Sequence, residues 1–510
     1  MNENDFFHPM YRTAIIGADF AGLGAAIRLK KAGNHSFVIL ERASDVGGTW
    51  RDNTYPGCGC DVPSHLYSYS FEPNPAWSRA FSRQPEILNY IHACSKKYGL
   101  NKHIQFKTTV EHLVFDETKG YWLLTDQLGK TVTAKTVIAA IGPLNVPVFP
   151  KIKQRENFGG VFFHSSNWPK DFDPTGKRIA IIGTGASAIQ IIPEIAPKAA
   201  QLFVYQRTAP WVLPKNDKQF SAFTKGLFKN FPSMQWLFRE MIYWLMEVRG
   251  KGLFGNKLIG NIAAAIGKKH IRDSVADPVL REKVTPKYEI GCKRVLPSND
   301  YYPALQRSNV ELVTEPINMI SERGISGKNG SQWDVDAIIY STGFEASEFS
   351  NRGMTIIGRN GRNLFDEWKE TGAEAYYGIT VNGYPGLLFM TGPNTGLGHS
   401  SIIHMMESQL NYILDYLKQL DLLPPHSFLD VKKNVQAAFN QKIQKALSGM
   451  VWSSGCKSWY QTASGKNTTI WPGHTYTYRK QTKRVNTADY NQIDLSVLHS
   501  KSPSEMVLIE

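Results

Sequence analysis

Two short β-rich runs, each leading at once into a glycine-rich turn and a helical pattern, constrain this chain more than any other feature. The first is Arg12–Ile16, then Gly17-Ala-Asp-Phe-Ala-Gly22, then a helical pattern through Leu29. The second is Lys177–Ile182, then Gly183-Thr-Gly-Ala-Ser-Ala188, then a helix stopping near Pro193 or Pro197. Strand, tight turn and helix start together open a dinucleotide-binding half, in which the turn lets a pyrophosphate approach the N–H groups of the helix N-terminus.

The returning strand of each half separates the two. The strand Phe37-Val-Ile-Leu-Glu41 ends in an acid 41 − 17 = 24 residues after the first glycine, where a ribose-binding carboxylate belongs. The strand Leu202–Tyr205 ends at Arg207-Thr208, and 207 − 183 = 24 repeats the offset with a base. A carboxylate suits free ribose hydroxyls and a guanidinium suits a 2′-phosphate, so the halves want different ligands: FAD in the first, NADPH in the second. The candidate contacts are Gly17, Gly22 and Glu41 on one side and Gly183, Thr184, Gly185, Ala186, Ser187, Arg207 and Thr208 on the other.

One position dissents. Asp19 stands where the middle glycine of the first turn is expected. A carboxylate about 5 Å from a phosphate charge is repelled by roughly 3 kcal/mol at an effective dielectric near 20, so its side chain must point away or flavin binding suffers.

A chain of 510 residues exceeds one simple core. The reading is an α/β protein of two dinucleotide-binding (Rossmann-like) domains with small antiparallel meanders and a helical insertion. Residues 1–145 and 346–510 form the first domain, 153–213 and 289–345 the second, and 214–288 the insertion. One meander spans Lys107 to Lys135 and feeds Thr136–Gly142, read as the last strand of the flavin half; another spans Ile317 to Trp333. The insertion is rich in aromatic and aliphatic residues at helical spacing. A core stripe is the favoured reading for it, with a substrate channel or a membrane surface as alternatives.

The start has no basic stretch leading into an apolar run, and the stretch Trp236–Val248 is interrupted by Arg239, Glu240 and Glu247, so no export signal or membrane span is expected and the cytoplasm is the default. Five cysteines, none in a C-x-x-C pair, argue for reduced thiols and no metal site. The formal charge of +14 is scattered, which favours a solvated surface over nucleic-acid binding.

Two further stretches carry a resemblance. Phe158–Pro169 reads F-x-G-x-x-x-H-x-x-x-W-P, and Gly48–Asp61 reads G-x-W-x-x-x-x-Y-P-G-x-x-x-D. Both match, at every fixed position, signatures of the type I Baeyer-Villiger monooxygenases, and the chain resembles that family from Arg12 to about Lys480. The resemblance implies an NADPH-dependent flavin monooxygenase that uses O₂ to convert ketones, open-chain aliphatic ones foremost, to esters or lactones through a C4a-peroxyflavin. It implies that Gly48, Thr49, Trp50 and Tyr67 contact FAD, that Asp61 sits over the isoalloxazine, and that Arg294 is the catalytic arginine with Asp61 as its partner. It further implies that Lys293 helps hold the 2′-phosphate and that Trp459, in Cys456-Lys-Ser-Trp-Tyr460, lies on NADP. His164 is expected to orient the domains without touching substrate. Ser341 replaces an alanine of the related pattern, and many relatives carry arginine where this chain has Gly59. Two other readings stay open: a flavin monooxygenase acting on nitrogen or sulfur, and a non-catalytic flavoprotein module.

Overall fold

The structure, a computed structural model, describes residues 9–347, 349, 353–424, 426–456 and 458–495; Lys457 and residues 496–510 lie outside them. Phe37–Leu40 is a continuous apolar run and Tyr11–Ile16 is buried from Thr13 on, because parallel strands of an α/β layer are covered on both faces. Their register pairs Ile16 with Leu40, so Gly17 N–H donates to Leu40 O at 2.9 Å and Glu41 arrives beside the turn.

The first sheet has eight strands. Its order is Thr355–Ile357, Val110–Asp116, Tyr121–Asp126, Thr131–Ala139, Tyr11–Ile16, Phe37–Leu40 and Ile104–Gln105, with Leu387–Phe389 against the end of Thr131–Ala139. The expected meander therefore forms, but it is continuous with the nucleotide-binding sheet. Thr131–Ala139 is one strand, antiparallel to Tyr121–Asp126 at its start and parallel to Tyr11–Ile16 from Ala134 on. Nor is it the last: Leu387–Phe389 returns from beyond the second half to pair with Val137–Ala139.

The second sheet is wholly parallel, in the order Val310–Val313, Gln201–Tyr205, Arg178–Ile182, Ala337–Tyr340, Val161–His164. The second meander forms as expected from Ile317–Ser321, Gly324–Gly327 and Gln332–Asp334. His164 ends the edge strand, buried between Phe149 and Phe344 of the two connecting segments, with Nδ1 at 2.8 Å from Ser166 Oγ. That is a joint between halves.

Residues 214–288 are helical over Ala222–Asn230, Pro232–Gly250, Lys257–Ser274 and Pro278–Val284. The core-stripe expectation fails on the longest of them. Pro232–Gly250 buries Gln235, Arg239 and Glu247 together with Ile242 and Tyr243, and leaves Trp236, Leu237, Met241, Trp244, Leu245 and Val248 exposed. Helical spacing reveals that an apolar stripe exists and is silent on which way it faces.

The cysteine expectation is also corrected. Cys292 and Cys456 are joined in a disulfide with Cα atoms 6.2 Å apart, while Cys58, Cys60 and Cys94 are free and buried. A pairing across 164 residues leaves no local spacing to read. Denatured but unreduced protein is expected to titrate as three thiols and reduced protein as five, the linked peptides containing Cys292 and Cys456; five thiols without reductant would refute the bridge.

Candidate functional site

In the first turn Gly17 takes φ +102°, which brings its Cα against the carbonyl of Ala140, a position a side chain would block. Gly183 repeats this with φ +111° against Ser341. At Gly185 a Cβ would meet nothing within 4 Å, so the second turn opens onto free space of the kind a pyrophosphate fills.

Glu41 is buried at the end of its strand. Its Oε2 accepts from Ala18 N at 2.8 Å and its Oε1 from Arg51 Nη1 at 3.1 Å, which holds the carboxylate against the turn. Gly48 lets the next loop bend at φ +44° into the short helix Thr49–Asp52. Trp50 is buried there, its Nε1 donating to Tyr67 Oη at 3.2 Å, and Tyr67 packs edge-on to Phe20, the first residue of the helix Phe20–Lys31. Gly17, Gly22, Glu41, Gly48, Thr49, Trp50 and Tyr67 thus converge on one region.

Asp19 is turned back into this region. It caps the helix, Oδ1 accepting from Phe20 N at 2.8 Å and Oδ2 from Thr49 N at 3.3 Å. Burial raises its carboxyl from 3.8 to about 7, with the neighbouring Glu41 adding to the rise and the two N–H donors opposing it. One way out of the expected repulsion is present: burial moves the carboxyl toward its neutral form near pH 7, while its oxygens are held on backbone N–H groups of the helix start and the loop.

In the second half Thr184 Oγ1 lies 3.4 Å from Thr208 O, placing the end of Gln201–Tyr205 beside the turn. Arg207 is exposed just past that strand. Lys293 lies within its field: burial, then Arg207, lowers the ammonium below its usual value. Among the described residues neither cation has a carboxylate partner, so both charges are uncompensated by an ion pair.

Asp61 and Arg294 meet although 233 residues separate them. Arg294 Nε donates to Asp61 Oδ2 at 2.8 Å and Nη2 to Oδ1 at 2.9 Å, a side-on bidentate pair in which both side chains are only partly exposed. The Asp61 carboxylate holds Arg294 above its usual pKa. Nη1 makes no hydrogen bond to the described residues and is the donor left over.

Sequence reasoning missed two parts of this site and one cluster away from it. Tyr460 is buried beside Arg294 with an unpartnered hydroxyl, burial pushing its phenol up to about 12. Trp459, named from the sequence, is exposed and packs on Tyr460 with ring centroids 4.4 Å apart. Gln190 of the second half clasps the first: its Oε1 accepts from Gly59 N and Tyr55 Oη, both at 3.2 Å, and its Nε2 donates to Gly59 O at 3.0 Å. Beside Gly59, Arg83 Nη1 donates to Gly57 O at 2.7 Å, so a guanidinium reaches this loop from another position. The cluster, apart from the pair, joins buried Glu247 to the partly buried His399 and His474. Glu247 there already accepts from Thr475 N, Thr475 Oγ1 and His474 Nδ1, which accounts for its charge without an ion.

A profile of flavin-binding monooxygenase-like proteins matches residues 10–350. A Baeyer-Villiger monooxygenase of Pseudomonas aeruginosa is 46% identical over 482 residues, covering 94% of this chain and 91% of its own length. One of Streptomyces coelicolor is 42% identical over 491 residues, covering 96% and 94%. Among solved structures, an OTEMO complex with FAD and NADP matches with TM-score 0.86 at 28% identity, over 96% of this chain and 100% of that one. An oxidised steroid monooxygenase bound to NADP matches with TM-score 0.84 at 30% identity, over 95% and 99%.

Asp19 gives a pH prediction. Its raised carboxyl keeps a proton that the unfolded chain has lost, so its favourable contribution is complete below about 4 and is lost as pH rises through about 7. FAD affinity, measured by fluorescence titration of apoprotein, is expected to fall severalfold between about pH 6 and about pH 8, and to stay flat in Asp19→Asn. A pH dependence surviving in that variant would clear Asp19 of the effect.

Proposed function

Because the chain belongs to the flavin-binding monooxygenase-like family, we propose that it is a Baeyer-Villiger monooxygenase that uses FAD, NADPH and O₂ to place one oxygen atom next to a ketone carbonyl. The observation that carries this is the bidentate Asp61–Arg294 pair, drawn from the flavin-side loop and from the segment that also bears Lys293. The overall change is ketone, O₂, NADPH and a proton to ester, NADP⁺ and water.

FAD would be held by the Gly17–Gly22 turn, Glu41 and the Gly48–Trp50 loop with Tyr67, and NADPH by the Gly183–Ser187 turn, Arg207, Thr208 and Lys293. When bound, the flavin passes the electrons of NADPH to O₂ and supplies the activated oxygen. The chain contributes charge and exclusion of water. Arg294 stays cationic throughout, so it can stabilise negative charge developing on the substrate carbonyl oxygen without taking up or losing a proton. Asp61 fixes the guanidinium through Nε and Nη2, which leaves Nη1 to face the reacting oxygen. Cys60 and Tyr460, both buried, close the pair off from bulk water on their side. Aliphatic ketones are the proposed substrate class, on the chain's resemblance to members that act on them.

Arg294→Ala is expected to keep NADPH-dependent flavin reduction while ester formation drops by about two to three orders of magnitude; ester at near wild-type rate would remove Arg294 from the chemistry. A ketone and a thioether presented together are expected to give ester in excess over sulfoxide. Arg207→Ala is expected to weaken NADPH about ten- to a hundredfold and NADH hardly at all, as read from KM with each nucleotide.

A further inference from the structure

The helix Pro232–Gly250 is built inside out. Its buried side carries Gln235, Arg239 and Glu247, and each is anchored: Gln235 Nε2 to His65 Nδ1 at 3.2 Å, Arg239 Nη1 to His65 O and Ser68 Oγ, and Glu247 to His474 Nδ1 and Thr475. Three polar anchors spread over the helix fix its rotation, so the outward apolar face is specified by the fold. That face holds Trp236, Leu237, Met241, Trp244, Leu245 and Val248, each about half exposed or more. The preceding helix adds Phe223, 80% exposed, and the next helix Lys257–Ser274 exposes Leu258, Ile262 and Ile266 one turn apart.

Burial of such a face is favourable wherever a matching surface is offered, and its charges say which. Residues 214–288 hold fourteen Lys and Arg against six Asp and Glu. Lys229, Arg249, Lys251, Lys257 and Lys268 are exposed around the apolar positions, Lys269 is paired with Asp273, and Glu247 is buried. A second copy docked by two-fold symmetry would bring the same basic rim against itself, which costs energy. Tryptophan and aliphatic residues on one side of a helix with lysine and arginine beside them are the composition of a helix lying in a bilayer interface. No helix of the described residues is long and apolar enough to cross a membrane, so the contact is in-plane.

We propose that the outward face of Pro232–Gly250, flanked by Phe223 and the exposed side of Lys257–Ser274, is a docking surface for an anionic phospholipid bilayer. The anchors of this surface lie outside the Asp61–Arg294 pair, so the proposal stands apart from the reaction assigned above.

The test is co-sedimentation of the holoenzyme with vesicles of phosphatidylcholine and phosphatidylglycerol at roughly three to one, and with phosphatidylcholine alone. Wild type is expected to pellet with the mixed vesicles, less with the neutral ones, and to be released as salt is raised. Trp236→Glu/Trp244→Glu is expected to bind at least about tenfold more weakly, with flavin content and NADPH oxidation unchanged; Leu258→Ser/Ile262→Ser serves as a second, milder variant. Wild type left in the supernatant with both vesicles overturns the proposal, as does equal pelleting of the glutamate variant. A dimer in sedimentation velocity that the same variant dissociates, without vesicle binding, assigns the face to a second copy and overturns it too.

Discussion

The ion pair between Asp61 and Arg294 is the constraint on which the rest of the arrangement depends. A guanidinium that cannot lose its proton is useful only where a fixed anion sets its direction, and here the anion comes from the loop of one nucleotide-binding half while the cation comes from the return segment of the other. Two devices hold those segments in place. Gln190 closes three hydrogen bonds onto Gly59 and Tyr55 of the loop, two and six residues before Asp61. The Cys292–Cys456 bridge starts two residues before Arg294 and pulls the segment carrying Trp459 and Tyr460 alongside it.

Much of this is legible in the sequence because the chemistry is local. A phosphate-binding turn needs glycines at fixed offsets, and an acid or a base at the end of the returning strand states which ribose it meets; Glu41 and Arg207 lie where the spacing puts them. The Asp61 and Arg294 assignments rest on resemblance, and the structure brings the two side chains into contact. The hidden parts are long-range. Leu387–Phe389 is three residues with no alternation to mark it as a strand, Cys292 and Cys456 share no spacing rule, and Gln190 reads as an ordinary helical residue. The outward face of Pro232–Gly250 escapes a sequence reading because a periodic stripe looks the same whether protein or another phase covers it.

At Asp19 a local rule is broken, and the structure shows what takes its place. Glycine is favoured in the middle of the turn because it is small and uncharged. Asp19 keeps a negative φ as a helix cap, directs its oxygens to Phe20 and Thr49 rather than outward, and is pushed by burial toward its neutral form. The substitution thereby exchanges a steric solution for an electrostatic one, and leaves this turn more sensitive to pH than its counterpart at Gly185.

The path of the chain has a consequence for its synthesis. The strand Thr131–Ala139 sits at the middle of the first sheet, yet its last three residues wait for Leu387–Phe389, which the ribosome makes roughly 250 residues later, after the entire second half. A nascent chain therefore carries an open hydrogen-bonding ladder next to apolar side chains until about three quarters of it has been made. The intervening half, whose own sheet closes within residues 161–340, is free to fold first and to act as a brace that brings the two ends of its host together.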